Sequence, residues 1–395
     1  MDQNNIRRLF ILGAGFSKPA GLPLGTELLQ EIVNYTDSPT NDIFSEYRGL
    51  FDKALKEYQD YSNQKINEIN IEEFIEYIDY QSFLNFYGNL NSPSKQGNDI
   101  QKVIRVLIAA VLLKKQEQAL HKVPTTNLYT KFTEILTEND TVITLNYDTL
   151  LEYFFKSKRK KFRLLPPWIY DKKMNFEPYS GVTLLKVHGS INWFDLNEYY
   201  EKQRTDNLNN PHSLLPADFI FNNHGNDKPK LNPIVPMNIQ PKIETNLKYL
   251  YWISDQDLNK FIKVYNNPLG RIDNNEAPAL THPILLSPSY SKLLYSDSIK
   301  DLFYGAGFYG SDKEQIIIIG CSLVEYDKYI RQWVFDIVRQ YRGMNHTKEI
   351  SIINYASRHK QKIGIQKNYS YLGTDKIKFI FDGFSEKSLA ETLSN

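Results

Sequence analysis

Three polar residues that could perform chemistry follow two short apolar segments of the sequence. Asn146 and Asp148 come at or just beyond the end of Thr141–Leu145, and His188 follows Thr183–Val187. Both segments are rich in aliphatic and β-branched residues and predict buried strands. Because the carboxyl ends of parallel strands face the ligand crevice of an open sheet, we expect these side chains at its mouth. There, His188 is a candidate general base beside the hydrogen-bonding amide of Asn146.

Each of these residues also has an ordinary structural interpretation. Asn146 or Asp148 could simply cap a helix predicted over Thr149–Phe155, as polar residues before helices commonly do. A single histidine is more often a satisfied structural residue than a base. Lys186 lies two residues before His188, shares its strand face and could equally be its neighbour. The chemical interpretation therefore depends on whether the side chains converge.

A glycine-rich segment follows the first apolar strand, Arg8–Leu12, and is a candidate phosphate loop. Its members are Gly13, Ala14, Gly15, Phe16 and Ser17. Glycines at a strand end let the backbone approach a pyrophosphate, and the next helix offers N–H groups and partial positive charge. Lys18 stands where the usual dinucleotide fingerprint has its third glycine, so a tight turn without a ligand remains the alternative.

Small or polar residues follow two further predicted strands. They are Gly320, Cys321 and Ser322 after Gln315–Ile319, and Asn354 after the weaker Glu349–Ile353. Cys321 is predicted to be a small buried hydrophobe rather than a nucleophile. Asn354 could bind a ribose hydroxyl or form a turn. Together, five successive predicted strands end in small or polar residues, which is the arrangement of a nucleotide crevice.

The order of the apolar segments and helical patterns predicts an α/β fold, a Rossmann-like doubly wound parallel sheet. Its core is expected at about 1–40, 121–195 and 280–395. Apolar residues at helical spacing, as in Ile71–Ile78, predict a helical insertion at 41–120. A segment rich in Asn, Asp, Pro and Tyr predicts a second, irregular insertion or lid at 196–279, which is too long for one structureless loop.

Composition excludes several classes of protein. The chain has 395 residues, a formal net charge of +1 and one cysteine. One cysteine excludes an internal disulfide framework and a zinc site of four cysteines. Near-neutral charge argues against non-specific nucleic-acid binding by the chain as a whole but leaves a local basic groove open, and we expect no direct nucleic-acid binding. The first residues lack the features of a signal peptide, and the longest apolar run, near Val103–Leu113, is shorter than the roughly 20 residues of a membrane span. We therefore expect a cytoplasmic protein without a membrane partner.

Taken in order, the motifs resemble the sirtuin family, and most of all the sirtuin-like domains of bacterial anti-phage defence systems that destroy NAD⁺. The segments that carry this resemblance are Gly13–Ser17, Gly21–Pro23, Thr144–Asp148, His188–Gly189, Gly320–Leu323 and Asn354. The resemblance covers the predicted core and only loosely the two insertions. It implies that NAD⁺ is the substrate, and the single cysteine leads us to expect no metal.

The resemblance also implies a role for each matching residue. Asn146 would position the nicotinamide ribose and the attacking water, Asp148 would support the nicotinamide pocket, and His188 would be the catalytic base. The residues expected to contact the pyrophosphate and the adenosine half are Gly13, Ala14, Gly15, Phe16, Ser17, Gly320, Ser322 and Asn354.

Three departures separate the chain from protein-deacylating sirtuins. Leu24–Thr26 stands where they carry Asp-Phe-Arg, Leu145 replaces their glutamine, and one cysteine cannot form their four-cysteine zinc module. Water thus becomes the expected acceptor. The expected activity is that of an NAD⁺ glycohydrolase releasing nicotinamide and ADP-ribose, with cyclisation of ADP-ribose left open.

Such an enzyme would be toxic if unregulated, so we expect control by a partner or by assembly into a homo-oligomer. The resemblance implies a HerA-like ring ATPase as partner. It would be a separate chain, because no G-x-x-x-x-G-K-[ST] motif occurs here. The alternatives are a nucleotide-sensing module that holds NAD or ADP-ribose without turnover and, less favoured, a protein deacylase. A serine hydrolase lacks its G-x-S-x-G motif.

Overall fold

The computed structural model divides the chain into two compact units. The first comprises 1–24, 115–188 and 300–395, and the second comprises 25–114 and 189–299. The residues that the structure describes are 6–38, 45–84, 98–164, 181–195, 231–235, 246–253, 283–286, 300–303, 313–324, 328–344, 349–373 and 376–393. Most of the second predicted insertion, 196–279, lies outside them.

Ten strands form within the described residues. They are β1 Arg8–Leu12, β2 Thr141–Thr144, β3 Phe162–Arg163, β4 Val182–Lys186, β5 Trp193–Asp195, β6 Leu231–Pro233, β7 Leu250–Ile253, β8 Gln315–Ile319, β9 Ile350–Ile353 and β10 Ile377–Ile380. Seven of them make a parallel sheet in the order β10-β9-β8-β1-β2-β4-β3. All residues of β1, β2 and β4 are buried, as expected of strands covered on both faces. The predicted α/β parallel-sheet fold is confirmed.

The α-helices of the described residues stand between these strands. They are α1 Ala14–Ser17, α2 Gly25–Thr36, α3 Ser45–Ser62, α4 Ile71–Phe83, α5 Asp99–Leu120, α6 Val123–Ile135, α7 Leu150–Ser157, α8 Lys328–Gly343, α9 His359–Tyr369 and α10 Glu386–Leu393. In the first unit, α6 contacts α7 and α10, whereas α8 and α9 both contact a 3₁₀ helix at Ser370–Leu372. Two separate helical groups are the signature of a doubly wound sheet.

The strands lie on two sides of the central strand β1. From β1 the chain passes to β2, then to the edge strand β3 and back to β4 between them, and it later crosses to β8 on the opposite side of β1 before continuing to β9 and β10. The topological switch point therefore lies between β1 and β8. In open α/β sheets, ligands bind outside the carboxyl ends of the strands at this point.

A cluster of aromatic rings packs beside β1. Phe10 contacts Phe132 of α6 edge to face, with ring centroids 5.4 Å apart. Phe16 contacts Phe132 at 5.0 Å and Phe384 at 4.6 Å. These large side chains are buried and fix α1 and α6 against the sheet. The Phe16 side chain, predicted to contact the cofactor, is thus a core residue.

In the second unit, helices dominate the sequence before residue 115. The predicted helices at Ile71–Ile78 and around 104–111 are confirmed as parts of α4 and α5. Phe74 of α4 packs against Phe51 and Tyr58 of α3. Asn70 caps α4, since its side chain accepts the Glu72 N–H at 2.9 Å.

A small antiparallel sheet in the order β5-β7-β6 also belongs to the second unit. Its first strand, at 193–195, falls in the range predicted as core, and the pairing Trp193↔Trp252 places it in this sheet instead. Among the described helices, none combines the length and apolar character needed to cross a membrane.

Candidate functional site

Close contact between two loops accounts for the glycines after β1. The N–H of Gly13 donates to Ile319 O at 2.9 Å, and the N–H of Gly15 donates to Gly320 O at 3.0 Å. A Cβ on Gly15 would lie 2.6 Å from the Cα of Gly320, and one on Gly13 would lie 2.6 Å from Cys321 Sγ. Glycine is therefore needed at both positions so that the loops after β1 and β8 can approach each other at the switch point.

Asn146 connects the loop after β2 to the loop after β1. Its Nδ2 donates to Gly13 O at 3.0 Å and to Ser17 Oγ at 3.1 Å. Only 9% of Asn146 is exposed, so these bonds lie in a poorly hydrated setting where they hold the amide firmly. Asn146 therefore sits at the mouth of the sheet with a fixed orientation.

Asp148 binds both the first residue of α7, whose N-cap is Thr149, and the loop after β1. Its Oδ1 accepts the Leu150 N–H at 3.1 Å, which supports the start of α7. Its Oδ2 accepts the Ser17 hydroxyl at 2.8 Å. Because Ser17 Oγ also accepts from Asn146 Nδ2, Ser17 links Asp148 to Asn146. The carboxylate thus positions neighbouring groups from both of its oxygens.

The buried side chains of Lys186 and Gln116 bind the Asp148–Thr149 segment. Lys186 donates to Asp148 O at 2.5 Å and forms an ion pair with Glu152 Oε1 at 2.7 Å, with its own side chain fully buried. Lys186, predicted as a neighbour of His188, is engaged by these partners. Gln116 binds Thr149 twice, donating to its Oγ1 at 2.8 Å and accepting its N–H at 2.9 Å.

His188 is held through both ring nitrogens. Its Nδ1 lies 3.0 Å from Leu145 O, and because a carbonyl only accepts, Nδ1 carries the proton. Its Nε2 lies 2.6 Å from the Tyr329 hydroxyl and accepts that proton when the imidazole is neutral. Only 6% of His188 is exposed. The neutral imidazole therefore has one basic position, Nε2.

The loop after β8 is held by its carbonyl groups. Cys321 O accepts from Asn354 Nδ2 at 2.8 Å and from the Tyr369 hydroxyl at 2.7 Å. Ser322 O accepts from Asn368 at 3.1 Å, and Leu323 O accepts from Arg331 at 2.8 Å. The loop contains two left-handed residues, Gly320 at φ +66° and Leu323 at φ +44°. Such a conformation at a leucine is costly and persists because the surrounding bonds impose it.

Three predicted cofactor residues meet here: Gly320 and Ser322 lie in the loop after β8, and Asn354 follows β9. The side chain of Ser322 is exposed, and Asn354 uses its amide N–H to hold Cys321 O. Cys321 is buried, as predicted. These residues join the rest of the site through the contact between Gly320 and Gly15.

Tyr129 is a site residue that sequence reasoning missed. Its hydroxyl donates to Phe16 O at 2.6 Å. Burial raises the pKa of Tyr129 well above its ordinary value, and the nearby Asp148 carboxylate raises it further. The phenol therefore stays protonated and keeps holding the glycine loop. Tyr129, Gln116 and Tyr329 lie on helices remote in sequence, where no local pattern marks them.

The structure brings Gly13, Ser17, Asn146 and Asp148 into one hydrogen-bonded cluster, with His188 attached through Leu145 O. The cluster offers an oriented amide and an imidazole that is hydrogen-bonded at both ring nitrogens, at the carboxyl ends of β1, β2 and β4. Within the described part of the chain, no group of three or more His, Cys, Asp or Glu side chains is placed to hold a metal ion.

Comparison with known proteins gives one family match. Residues 140–219 match a family described as a SIR2-like domain. The matched region includes Asn146, Asp148 and His188. No functionally curated protein matches the chain.

Among solved structures, the chain is similar to sirtuins at low identity. A structure described as the structural basis for sirtuin substrate affinity shares 13% identity and a TM-score of 0.34, covering 98% of this chain and 94% of that chain. A structure of a Sir2 with a p53 peptide and NAD⁺ shares 13% identity at a TM-score of 0.35, covering 98% of this chain and 94% of that chain. A structure described as the basis for the mechanism and regulation of Sir2 enzymes shares 12% identity at a TM-score of 0.37, covering 99% of this chain and 94% of that chain. At TM-scores below 0.5, these likenesses add nothing to the fold or the function.

Proposed function

We propose that the protein is an NAD⁺ glycohydrolase that releases nicotinamide and ADP-ribose. The observation that carries the proposal is the convergence of Asn146, Ser17, Asp148 and His188 at the carboxyl ends of three neighbouring strands. The match to a SIR2-like domain over the segment that contains three of them supports it.

The chemistry follows from the substrate's own charge. Nicotinamide leaves NAD⁺ as a neutral molecule, because the electron pair of the broken C1′–N bond returns to the ring nitrogen. The protein must therefore hold the ribose, exclude bulk water and orient one water molecule towards C1′. As the C1′–O bond forms, that water must lose a proton.

Asn146 and His188 divide this work. The fixed amide of Asn146 orients the ribose and the attacking water by hydrogen bonds, without adding charge. His188 takes the proton at Nε2, since Nδ1 already carries one. A positioned base of this kind contributes about 10²–10⁴ to the rate. Asp148 acts as a positioning residue through Ser17 and the start of α7.

We further propose that the enzyme depletes NAD⁺ as an effector of anti-phage defence. Uncontrolled cleavage of NAD⁺ would harm the host cell, so the activity must be held back by assembly into a homo-oligomer or by a separately encoded partner such as a HerA-like ring ATPase. The resemblance of the motifs to sirtuin-like defence domains is what supports this part.

A second candidate function is a nucleotide-sensing module without turnover. It is favoured by one observation, the engagement of His188 Nε2 by the Tyr329 hydroxyl. A base whose acceptor position is already bonded could leave NAD⁺ intact.

Mass spectrometry of NAD⁺ incubated with the purified chain, alone and with the protein encoded beside it, tests the proposal. We expect nicotinamide with linear or cyclic ADP-ribose from the wild type, and a loss of at least about 10²-fold in Asn146→Ala and His188→Ala. Matched controls are Asn34→Ala and His359→Ala, which change the same residue types at exposed helix positions.

Three results would contradict the glycohydrolase proposal. They are unchanged turnover in either site variant, NAD⁺ that binds but stays intact under both conditions, and release of nicotinamide only when an acyl-lysine peptide is supplied. The second result would favour the sensing module, and the third would favour a protein deacylase.

A further inference from the structure

The only basic nitrogen of neutral His188 already has a partner. Its Nε2 accepts the Tyr329 hydroxyl at 2.6 Å, while Nδ1 donates to Leu145 O at 3.0 Å. Nε2 has a single lone pair, which lies in the ring plane and accepts one hydrogen bond. A water or ribose hydroxyl therefore cannot donate directly to His188 while Tyr329 does.

Packing holds the Tyr329 ring in this position. Tyr329 is the second residue of α8, and its ring lies 6.1 Å from the rings of both His188 and Phe303. Phe303 in turn contacts Trp333, one turn further along α8, at 5.8 Å. The phenol thus packs against Phe303, which is itself held by Trp333, and its hydroxyl position does not depend on the hydrogen bond alone.

A phenol in this position can accept one proton while it donates another. A phenol oxygen can donate one hydrogen bond and also accept through its lone pairs. Hydrogen-bonded chains of this kind pass protons without leaving a charge on the middle group.

We propose that Tyr329 relays the proton from the attacking water to His188. In this step, which rests on the proposed function, water forms a bond to C1′ as the C1′–N bond breaks towards nicotinamide. The water O–H proton passes to Tyr329 Oη, and the Tyr329 proton passes to His188 Nε2. The products are neutral nicotinamide, ADP-ribose, a neutral tyrosine and a protonated imidazole, which later releases its proton to solvent.

Tyr329→Phe tests the relay because it removes only the hydroxyl and keeps the ring that packs against Phe303. The matched control is Tyr341→Phe, twelve residues further along the same helix, whose hydroxyl donates to Glu314 O at 3.0 Å. We expect kcat to fall about 10–10²-fold in Tyr329→Phe, with KM changed less than about threefold. Tyr341→Phe should keep both constants.

A proton inventory separates a relay from a structural role. The single-turnover rate of the wild type should depend on the D₂O fraction with the curvature of two protons in flight, and that of Tyr329→Phe should be linear. The ¹⁵N resonance of His188 Nε2 should shift in Tyr329→Phe and stay in place in Tyr341→Phe, which reads the hydrogen bond independently of turnover.

Two results would overturn the relay alone. Turnover equal to the wild type in Tyr329→Phe would show that the hydroxyl is displaced before chemistry, and higher turnover would show that Tyr329 blocks the base. A wild-type protein that never cleaves NAD⁺, with an Nε2 resonance that still responds to Tyr329→Phe, would overturn the proposed function and leave the hydrogen bond intact.

Discussion

The two sides of the switch point hold their residues in different ways. On the side of β2 and β4, buried polar side chains bind one another: Asn146 binds Ser17, Ser17 binds Asp148, and Lys186 pairs with Glu152. On the side of β8, side chains bind the backbone of the loop rather than one another. There, side chains from other elements capture successive carbonyl groups of Cys321, Ser322 and Leu323.

The two sides therefore contribute different things to the candidate site: one supplies reactive side chains and the other supplies a backbone conformation. The β2–β4 side presents an amide and an imidazole whose identities matter, because a reaction needs their particular donors and acceptors. The β8 side presents a backbone conformation, with left-handed Gly320 pressed against Gly15. Substitutions on the first side should act through lost partners and buried charge, and those on the second through backbone strain.

The largest stability effect is expected at the buried ion pair on the β2–β4 side. Lys186→Met leaves the Glu152 carboxylate buried without its cation, so the free energy of unfolding should fall by about 3–5 kcal/mol. The double variant Lys186→Met/Glu152→Leu should recover part of that loss, because no unpaired charge stays buried. Urea denaturation measures both, and a cost below about 1 kcal/mol for the single change would contradict the account.

The β8 side should respond to a single methyl group. A Cβ at Gly320 would lie 2.3 Å from the Gly15 carbonyl carbon, at a φ of +66°. Gly320→Ala should therefore cost about 2–4 kcal/mol, from left-handed strain and overpacking. Gly364→Ala is the control: it lies within α9 with nothing within 4 Å, and should gain about 0.5–1 kcal/mol. Equal melting temperatures for the two variants would refute the assignment.

A smaller effect is expected from the side chain that clamps the start of α7. Gln116→Leu leaves the N–H and hydroxyl of Thr149 buried without these partners, so stability should fall by about 1–3 kcal/mol. Gln332→Leu, at an exposed pair with Asp336 on α8, should stay within about 0.5 kcal/mol of the wild type. If the two changes cost the same, the clamp is not a stabilising feature of the loop.

The smallest expected effect is a loss of stability at alkaline pH, caused by Tyr369 on the β8 side. Burial raises the pKa of Tyr369 well above the ordinary tyrosine value of 10.0. A group that binds its proton more tightly when folded loses stability as pH rises, starting at the unfolded value. Stability should therefore decline above about pH 10, and less steeply in Tyr369→Phe than in the wild type. Parallel pH profiles for the two proteins would contradict this assignment.

Much of the fold could be predicted because buried parallel strands are short, apolar and locally visible. The segments at Arg8–Leu12 and Gln315–Ile319 are strands with the same bounds in the structure, β1 and β8. The edge strands β3 and β10 are not predicted from the sequence, because they lack a continuous buried run. Phe162–Arg163 is only two residues long, and the residues of β10 are mostly half-buried, so neither produces a continuous apolar run.

The candidate site was predictable in part for a similar reason. Residues at strand ends, such as Asn146 and His188, are marked by the strand before them. Tyr129, Gln116 and Tyr329 are placed by tertiary packing of helices, and nothing in their local sequence distinguishes them from other helix residues. Phe16 shows the reverse case, in which a residue inside a functional motif has its side chain in the core.

A crystal structure of His188→Ala with NAD⁺ tests the central claim most directly, because this variant should bind the substrate without cleaving it. We predict the nicotinamide ribose at Asn146, beside the position vacated by His188, and the adenosine half at the loop Gly320–Leu323 with Asn354. NAD⁺ bound in the reverse direction, or away from the carboxyl ends of β1, β2 and β4, would contradict the account.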